Sequence, residues 1–304
     1  MSTDIQHADS PSRVEGWRSL YPFQSHRIEI GGHQIHYLDE GTGPVLLMVH
    51  GNPTWSFYWR NLVVAWRPHY RVIVVDHLGC GLSDKPQNYD YCLATHTANL
   101  VALVDRLGLQ QATLLAHDWG GAIGLGAVVQ RPDQFARIVL FNTGAFPPPR
   151  VPLRIAACRF PVLGRWGLQG LNLFSRAAMK MATERPGGLP PLVEAGLLAP
   201  FDSWRHRLSV TRFVQDIPLT RRHRTYAVLD QLEQDLRALP ERPVQLVWGM
   251  RDWCFTPQCL EQFIEIFPQA AVHRIADAGH WVIEDSPDEI VEVVGAFLEK
   301  TASS

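Results

Sequence analysis

Long apolar runs are missing from this 304-residue sequence, which offers no stretch of about 18 consecutive apolar residues to cross a bilayer. Residues Met1 to Trp17 are polar and lack the apolar centre of a secretory signal, so the cytoplasm is the expected location. Cysteine is sparse. The five present, Cys80, Cys92, Cys158, Cys254 and Cys259, are odd in number, widely spread and form no CxxC pair, which argues against a disulfide framework or a zinc site and fits reduced thiols. An excess of one charge is missing too. The formal net charge of -2 gives no electrostatic reason to expect nucleic acid or an anionic membrane surface as partner. The densest basic run, Arg221-Arg222-His223-Arg224, reads as a solvated helix face or turn. No internal repeat, GxGxxG fingerprint, P-loop or metal-ligand cluster is visible, so no cofactor and no metal is implied.

What is present is an ordinary globular balance, 46 % hydrophobic and 19 % charged, enough for a large core in one domain with an insertion or in two domains. Residues 1–20 read as a disordered tail rich in Ser, Asp and His. Residues 27–30 and 34–38 alternate in polarity around Gly31-Gly32, a hairpin signal. Val45 to Val49 and Val72 to Val75 are unbroken apolar runs, as in strands buried on both faces, with a helix possible from Trp55 to Trp66. Helical spacing over Leu93 to Leu107, a strand at 113–115, a helix from Gly120 to Val129 and a strand at 138–141 continue the rhythm, which implies a parallel sheet covered by helices. The rhythm stops after Phe146. Residues 147–218 are rich in proline and in helical stretches such as Trp166 to Met181 and Leu192 to Leu198, and read as an inserted helical cap between core segments 21–146 and 219–304. Strands at 243–248 and 272–275 follow, with a helix opened by Thr256-Pro257 between them and a last helix over 287–300.

Chemistry concentrates at strand ends, where open α/β sheets bind ligands. Leu114-Leu115-Ala116-His117-Asp118-Trp119-Gly120-Gly121 joins a strand to a helix through a turn, with small residues two before and two after Asp118. That is the pattern of the nucleophile elbow of an α/β-hydrolase, with Asp in place of Ser. An Asp before Gly-Gly also suits a plain helix cap. The elbow is favoured by Asp252, just past the strand ending at Trp248, and His280, just past the last strand, which complete the order nucleophile, acid, His. Asn52 and Trp119 add two neutral N–H donors, suited to a halide or another weakly basic anion. Opening an epoxide would instead call for acidic hydroxyls, and residues 147–218 contain no Tyr. His50 and His117 read as structural.

Three motifs together, His50-Gly51-Asn52-Pro53-Thr54-Trp55-Ser56-Phe57, Asp76-His77-Leu78-Gly79-Cys80-Gly81-Leu82-Ser83-Asp84-Lys85-Pro86 and His117-Asp118-Trp119-Gly120-Gly121, resemble the haloalkane dehalogenases over roughly residues 21 to 300. The resemblance implies the α/β-hydrolase fold, a mostly parallel eight-stranded sheet flanked by helices with an inserted helical cap. It also implies Asp118 as nucleophile, His280 as base, Asp252 as acid, and Asn52 with Trp119 as the halide-stabilising pair. Some members place a Glu after the strand that ends here at Phe141; Asn142 cannot serve as that acid. Members with the acid after the seventh strand and an Asn-Trp pair include the third dehalogenase subfamily, whose near relatives include the β-lactone decarboxylases of bacterial olefin biosynthesis, and 199–204 with 212–219 resemble the return from cap to core of that group. The expected activity is hydrolytic cleavage of carbon–halogen bonds through an Asp118 ester, with decarboxylation of a β-lactone to a cis-alkene as the alternative. A long apolar channel lined by Leu171, Phe174 and Met181 would favour the latter. The expected partners are a small apolar substrate, haloalkane or β-lactone, and halide, with no nucleic acid, no membrane span and the oligomeric state open. A non-catalytic ligand-binding hydrolase fold fits less well, since every triad member is present.

Overall fold

Residues in the apolar strands alternate between two cores, which is why those strands carry no polar face. Leu47, Val49, Leu114, Ala116, Leu246 and Trp248 join one cluster, while their neighbours Leu46, Met48, Leu115 and Val247 join the other. The computed structural model describes residues 16–148, 151–160 and 163–302. Its strands are β1 (Ser25–Ile30), β2 (His33–Glu40), β3 (Val45–Val49), β4 (Arg71–Val75), β5 (Ala112–Asp118), β6 (Phe135–Thr143), β7 (Val244–Gly249) and β8 (Ala271–Ile275). They form one sheet in the order β1-β2-β4-β3-β5-β6-β7-β8. The β1–β2 and β2–β4 pairings are antiparallel and the rest parallel.

The helices are α1 (Arg60–Trp66), α2 (Leu93–Arg106), α3 (Trp119–Gln130), α4 (Leu153–Ala157), α5 (Leu173–Met181), α6 (Pro191–Leu198), α7 (Leu208–Asp216), α8 (Arg224–Arg237), α9 (Pro257–Ile266), α10 (Val282–Asp285) and α11 (Pro287–Thr301). Helices α2, α3, α8 and α9 feed the first cluster, α1 and α11 the second. Between β6 and α8 the chain leaves the sheet and runs through α4 to α7 over the carboxyl ends of the strands, where Met179 and Leu197 join the second cluster. No described helix is long and apolar enough to cross a membrane.

Two expectations need correction. The tail expected over 1–20 ends earlier: Gly16–Leu20 is a 3₁₀ turn whose Trp17 is buried edge-on against Trp55 and Phe57, and residues 1–15 lie outside the described residues. Aromatic anchors need no hydrophobic neighbours in sequence, so the polar surroundings of Trp17 conceal it. The helix expected over 166–181 is broken. A wide π-helical stretch, Leu163–Gly170, is followed by Asn172 in the left-handed region at φ 55°, and α5 starts afresh at Leu173. The basic run lies as expected in an exposed turn and helix start: Arg224 opens α8, a helix not anticipated from the sequence, and grips Asp90 with two hydrogen bonds of 2.7 and 2.6 Å.

One buried ion pair fixes the region next to the carboxyl end of the sheet. Arg60 on α1 holds Glu284 on α10 through hydrogen bonds of 2.5 and 2.8 Å, and its guanidinium also lies over the Phe57 ring. Both side chains are almost fully enclosed. Removing one charge leaves the other buried without a partner, so Glu284→Gln is expected to cost about 3–5 kcal/mol, read as a lower urea midpoint. A change within about 0.5 kcal/mol would show that the pair is not holding α10.

Candidate active site

Asp118 ends β5 and adopts φ 54°, ψ -130°, a conformation costly for a residue with a Cβ, immediately before α3. The hydroxyl of Thr143 donates to the Asp118 carbonyl and steadies the turn. Two close approaches require glycine. A Cβ on Gly51 would stand 2.0 Å from Asp118 Oδ1, and one on Gly120 would stand 2.1 Å from the Val49 carbonyl oxygen.

The turn aims the Asp118 carboxyl into a closed site. Oδ1 accepts the Asn52 backbone N–H at 2.6 Å, and the Trp119 backbone N–H adds a favourable interaction with the same carboxyl. Oδ2 lies 3.6 Å from His280 Nε2, and His280 Nδ1 lies 2.8 Å from Asp252 Oδ2. Asp252 is itself held. Its Oδ1 accepts the Cys254 backbone N–H at 2.6 Å, and its Oδ2 accepts Asn142 Nδ2 at 3.0 Å. His117 Nε2 bonds the His280 carbonyl oxygen at 2.8 Å, and Phe255 stacks on the His280 ring.

Burial pushes the Asp118 carboxyl above the usual carboxylate range, while His280 and the two backbone N–H groups oppose that rise. Burial pulls the His280 imidazole down, but the carboxylates of Asp252 and Asp118 outweigh it and leave the ring raised. The neighbouring imidazoles behave differently. Burial drives His50, His77 and His117 down, so they stay neutral and structural. Among these imidazoles, positive charge is thus favoured only on His280.

Asn52, Asp118, Trp119 and His280 all face one cavity of ≈ 380 Å³, with Asp252 behind the imidazole. One amide N–H of Asn52 reaches the Val210 carbonyl at 3.3 Å, and the other N–H has no protein acceptor among the described residues. Away from the carboxyl the walls are mostly apolar: Phe174, Met181, Ile155, Leu168, Val214 and Leu229 contribute. Leu171, expected in this wall, is 66 % exposed, because it precedes the left-handed turn at Asn172 that sets the direction of α5. Asn142 is the residue whose part the sequence did not disclose. Besides holding Asp252, its amide accepts the Gly249 N–H and donates to the Gly249 carbonyl, joining the ends of β6 and β7. Its position after a strand was visible, but its partners lie more than a hundred residues away. Among the described residues no cluster of His, Cys, Asp and Glu is arranged to hold a metal ion.

A carboxylate held open to an apolar cavity can attack a saturated carbon, and an imidazole held by a second carboxylate can activate water. The balance of charge is directly measurable. Because the carboxylates favour the cation, the His280 ring is expected to titrate by NMR above the ordinary value of about 6.5, and Asp252→Asn is expected to lower it. An unchanged midpoint in the variant would remove Asp252 as the partner of that charge.

Residues 44–287 match the family model described as alpha/beta hydrolase fold. A cis-3-alkyl-4-alkyloxetan-2-one decarboxylase of Shewanella oneidensis is 40 % identical over 289 residues, covering 93 % of this chain and 91 % of that protein. Haloalkane dehalogenase 2 of Mycobacterium bovis is 31 % identical over 288 residues, covering 90 % of this chain and 95 % of that protein. The crystal structure of haloalkane dehalogenase DbeA from Bradyrhizobium elkani USDA94 superimposes with a TM-score of 0.84 at 25 % identity, covering 93 % of this chain and all of that one. Sheet order, elbow and matched length agree: the chain belongs to the α/β-hydrolase family, in the group that holds the haloalkane dehalogenases and the oxetanone decarboxylases.

Proposed function

We propose that this enzyme opens cis-3,4-dialkyl oxetan-2-ones with Asp118 and releases an alkene and carbon dioxide. The observation that carries the reading is the cavity: at ≈ 380 Å³ it falls in the range of about 300–1,000 Å³ typical of sites for sizeable ligands, and its walls suit alkyl chains. The 40 % identity to an oxetanone decarboxylase supports the same reading.

Asp118 attacks the ring carbon bearing oxygen from the side opposite that oxygen. The alkyl C–O bond breaks, the ring opens to a carboxylate, and the side chains of Asn52 and Trp119 donate N–H bonds to the new anion. The carbon–carboxylate bond then breaks, its electrons form the alkene, and the bond to Asp118 breaks to restore the free carboxylate. No water is consumed. Attack with inversion followed by departure on opposite faces keeps the alkyl groups on one side, so a cis-lactone gives a cis-alkene.

Carbon–halogen hydrolysis is the second reading, favoured by the neutral donors of Asn52 and Trp119 beside the carboxyl. There Asp118 displaces halide to form an alkyl ester. His280, held by Asp252, takes a proton from water that attacks the ester carbonyl, and the backbone N–H groups at Asn52 and Trp119 bear the oxyanion. The alcohol leaves and Asp118 returns as carboxylate. The Asp-His-Asp arrangement serves this route fully, whereas alkene release asks of His280 only a compensating charge.

Gas chromatography for alkene from a long-chain cis-β-lactone, set against halide release from 1,2-dibromoethane, separates the two readings. Alkene formation is expected to dominate and to fall by more than about 10³-fold in Asp118→Ala. His280→Phe is expected to stall halide turnover with an alkyl group left on the peptide carrying Asp118, and to slow alkene release by a smaller factor. Halide release without alkene would overturn the first reading in favour of the second.

A further inference from the structure

The small overall charge conceals a local imbalance. Between Asp133 and Glu184 the sequence contains no Asp or Glu but seven Arg and Lys. On α5 the exposed residues Leu173, Arg176, Ala177, Lys180 and Met181 recur at intervals of three and four, so they share one face of the helix. On α4, Leu153 is 81 % exposed beside the exposed Arg154. Arg154, Leu173 and Met181 also belong to the cavity wall, so this face borders the opening above Asp118.

Ordinary protein surfaces intersperse both signs of charge and keep large apolar side chains apart. This one does neither. Lys180 reaches Glu194 at 3.4 Å, but Arg176 and Arg154 have no carboxylate partner among the described residues, and the Arg154 guanidinium lies 3.8 Å above the Trp253 ring. Leu and Met alternating with Arg and Lys, without acid, is the composition of a helix that lies in a bilayer interface, its apolar groups among acyl chains and its cations among phosphates.

We propose that this cap face is a peripheral docking surface for anionic phospholipid, placing the cavity opening against the bilayer so that an apolar substrate or product passes between lipid and site without crossing water. The nature of that cargo rests on the Asp118 reading; the docking assay measures no turnover, so the two fail separately.

The test is sedimentation of the full chain with vesicles of phosphatidylcholine alone and of equal parts phosphatidylcholine and phosphatidylglycerol. Retention is expected on the anionic vesicles only, weakening as added salt shortens the screening length. Leu153→Ser/Arg176→Glu/Lys180→Glu touches no cavity-wall residue. It is expected to keep turnover of a short-chain lactone and to lose vesicle retention by at least about tenfold. Arg274→Glu/Lys300→Glu, the same charge change on β8 and α11, is expected to retain binding. Absence of retention on anionic vesicles, equal retention on both kinds, or undiminished retention by the cap variant overturns the proposal and leaves the face to a protein partner.

Discussion

The hydrogen bond from the Asn52 backbone N–H to Asp118 Oδ1, 2.6 Å long, is the contact on which the site depends. A carboxylate taken out of water costs several kcal/mol unless donors replace its solvent shell. Here the replacements are mostly backbone, fixed by β3 and α3, and they leave one oxygen facing the cavity. The strain at Asp118 adds a cost of order 1–3 kcal/mol, tolerated because Thr143 and the glycine contacts leave the turn no easier path. The carboxyl is therefore poised rather than comfortable, and an incoming carbon satisfies what the protein does not.

Much of this was legible in one dimension. The apolar runs identified the strands because both faces of the sheet are covered, and the elbow was visible because its turn tolerates only small neighbours. Asp252 and His280 are singled out by their places after strands, and the structure sets the imidazole between Asp252 and Asp118. What escaped the sequence depends on partners far along the chain. Asn142 cannot itself act as an acid, yet its amide holds the carboxylate that lies beside the imidazole. Trp17 sits among polar residues and finds its ring partners some forty residues on. The register of the cap failed at Asn172, because the change from a π-helical stretch to α5 leaves no trace in hydrophobic spacing.

The two chemistries that this site can support share their first event. In each proposed route Asp118 would displace a weakly basic anion from carbon, and the same amide and indole would receive it. They part afterwards, according to whether the intermediate contains a carboxylate able to leave as carbon dioxide. On that proposal the choice would fall to the substrate and to the cavity that admits it, whose walls come largely from the inserted helices.

Asn142 stands where the chain departs from the sheet for the cap, and it fastens the end of β6 to the end of β7 through Gly249. That rivet is made inside the sheet, by bonds in which no inserted helix takes part. Asn52 is tied differently, through its amide to Val210 on α7. The carboxylate behind the imidazole is therefore bolted to the frame, while the amide beside Asp118 is coupled to the inserted helices and registers any rebuilding of them.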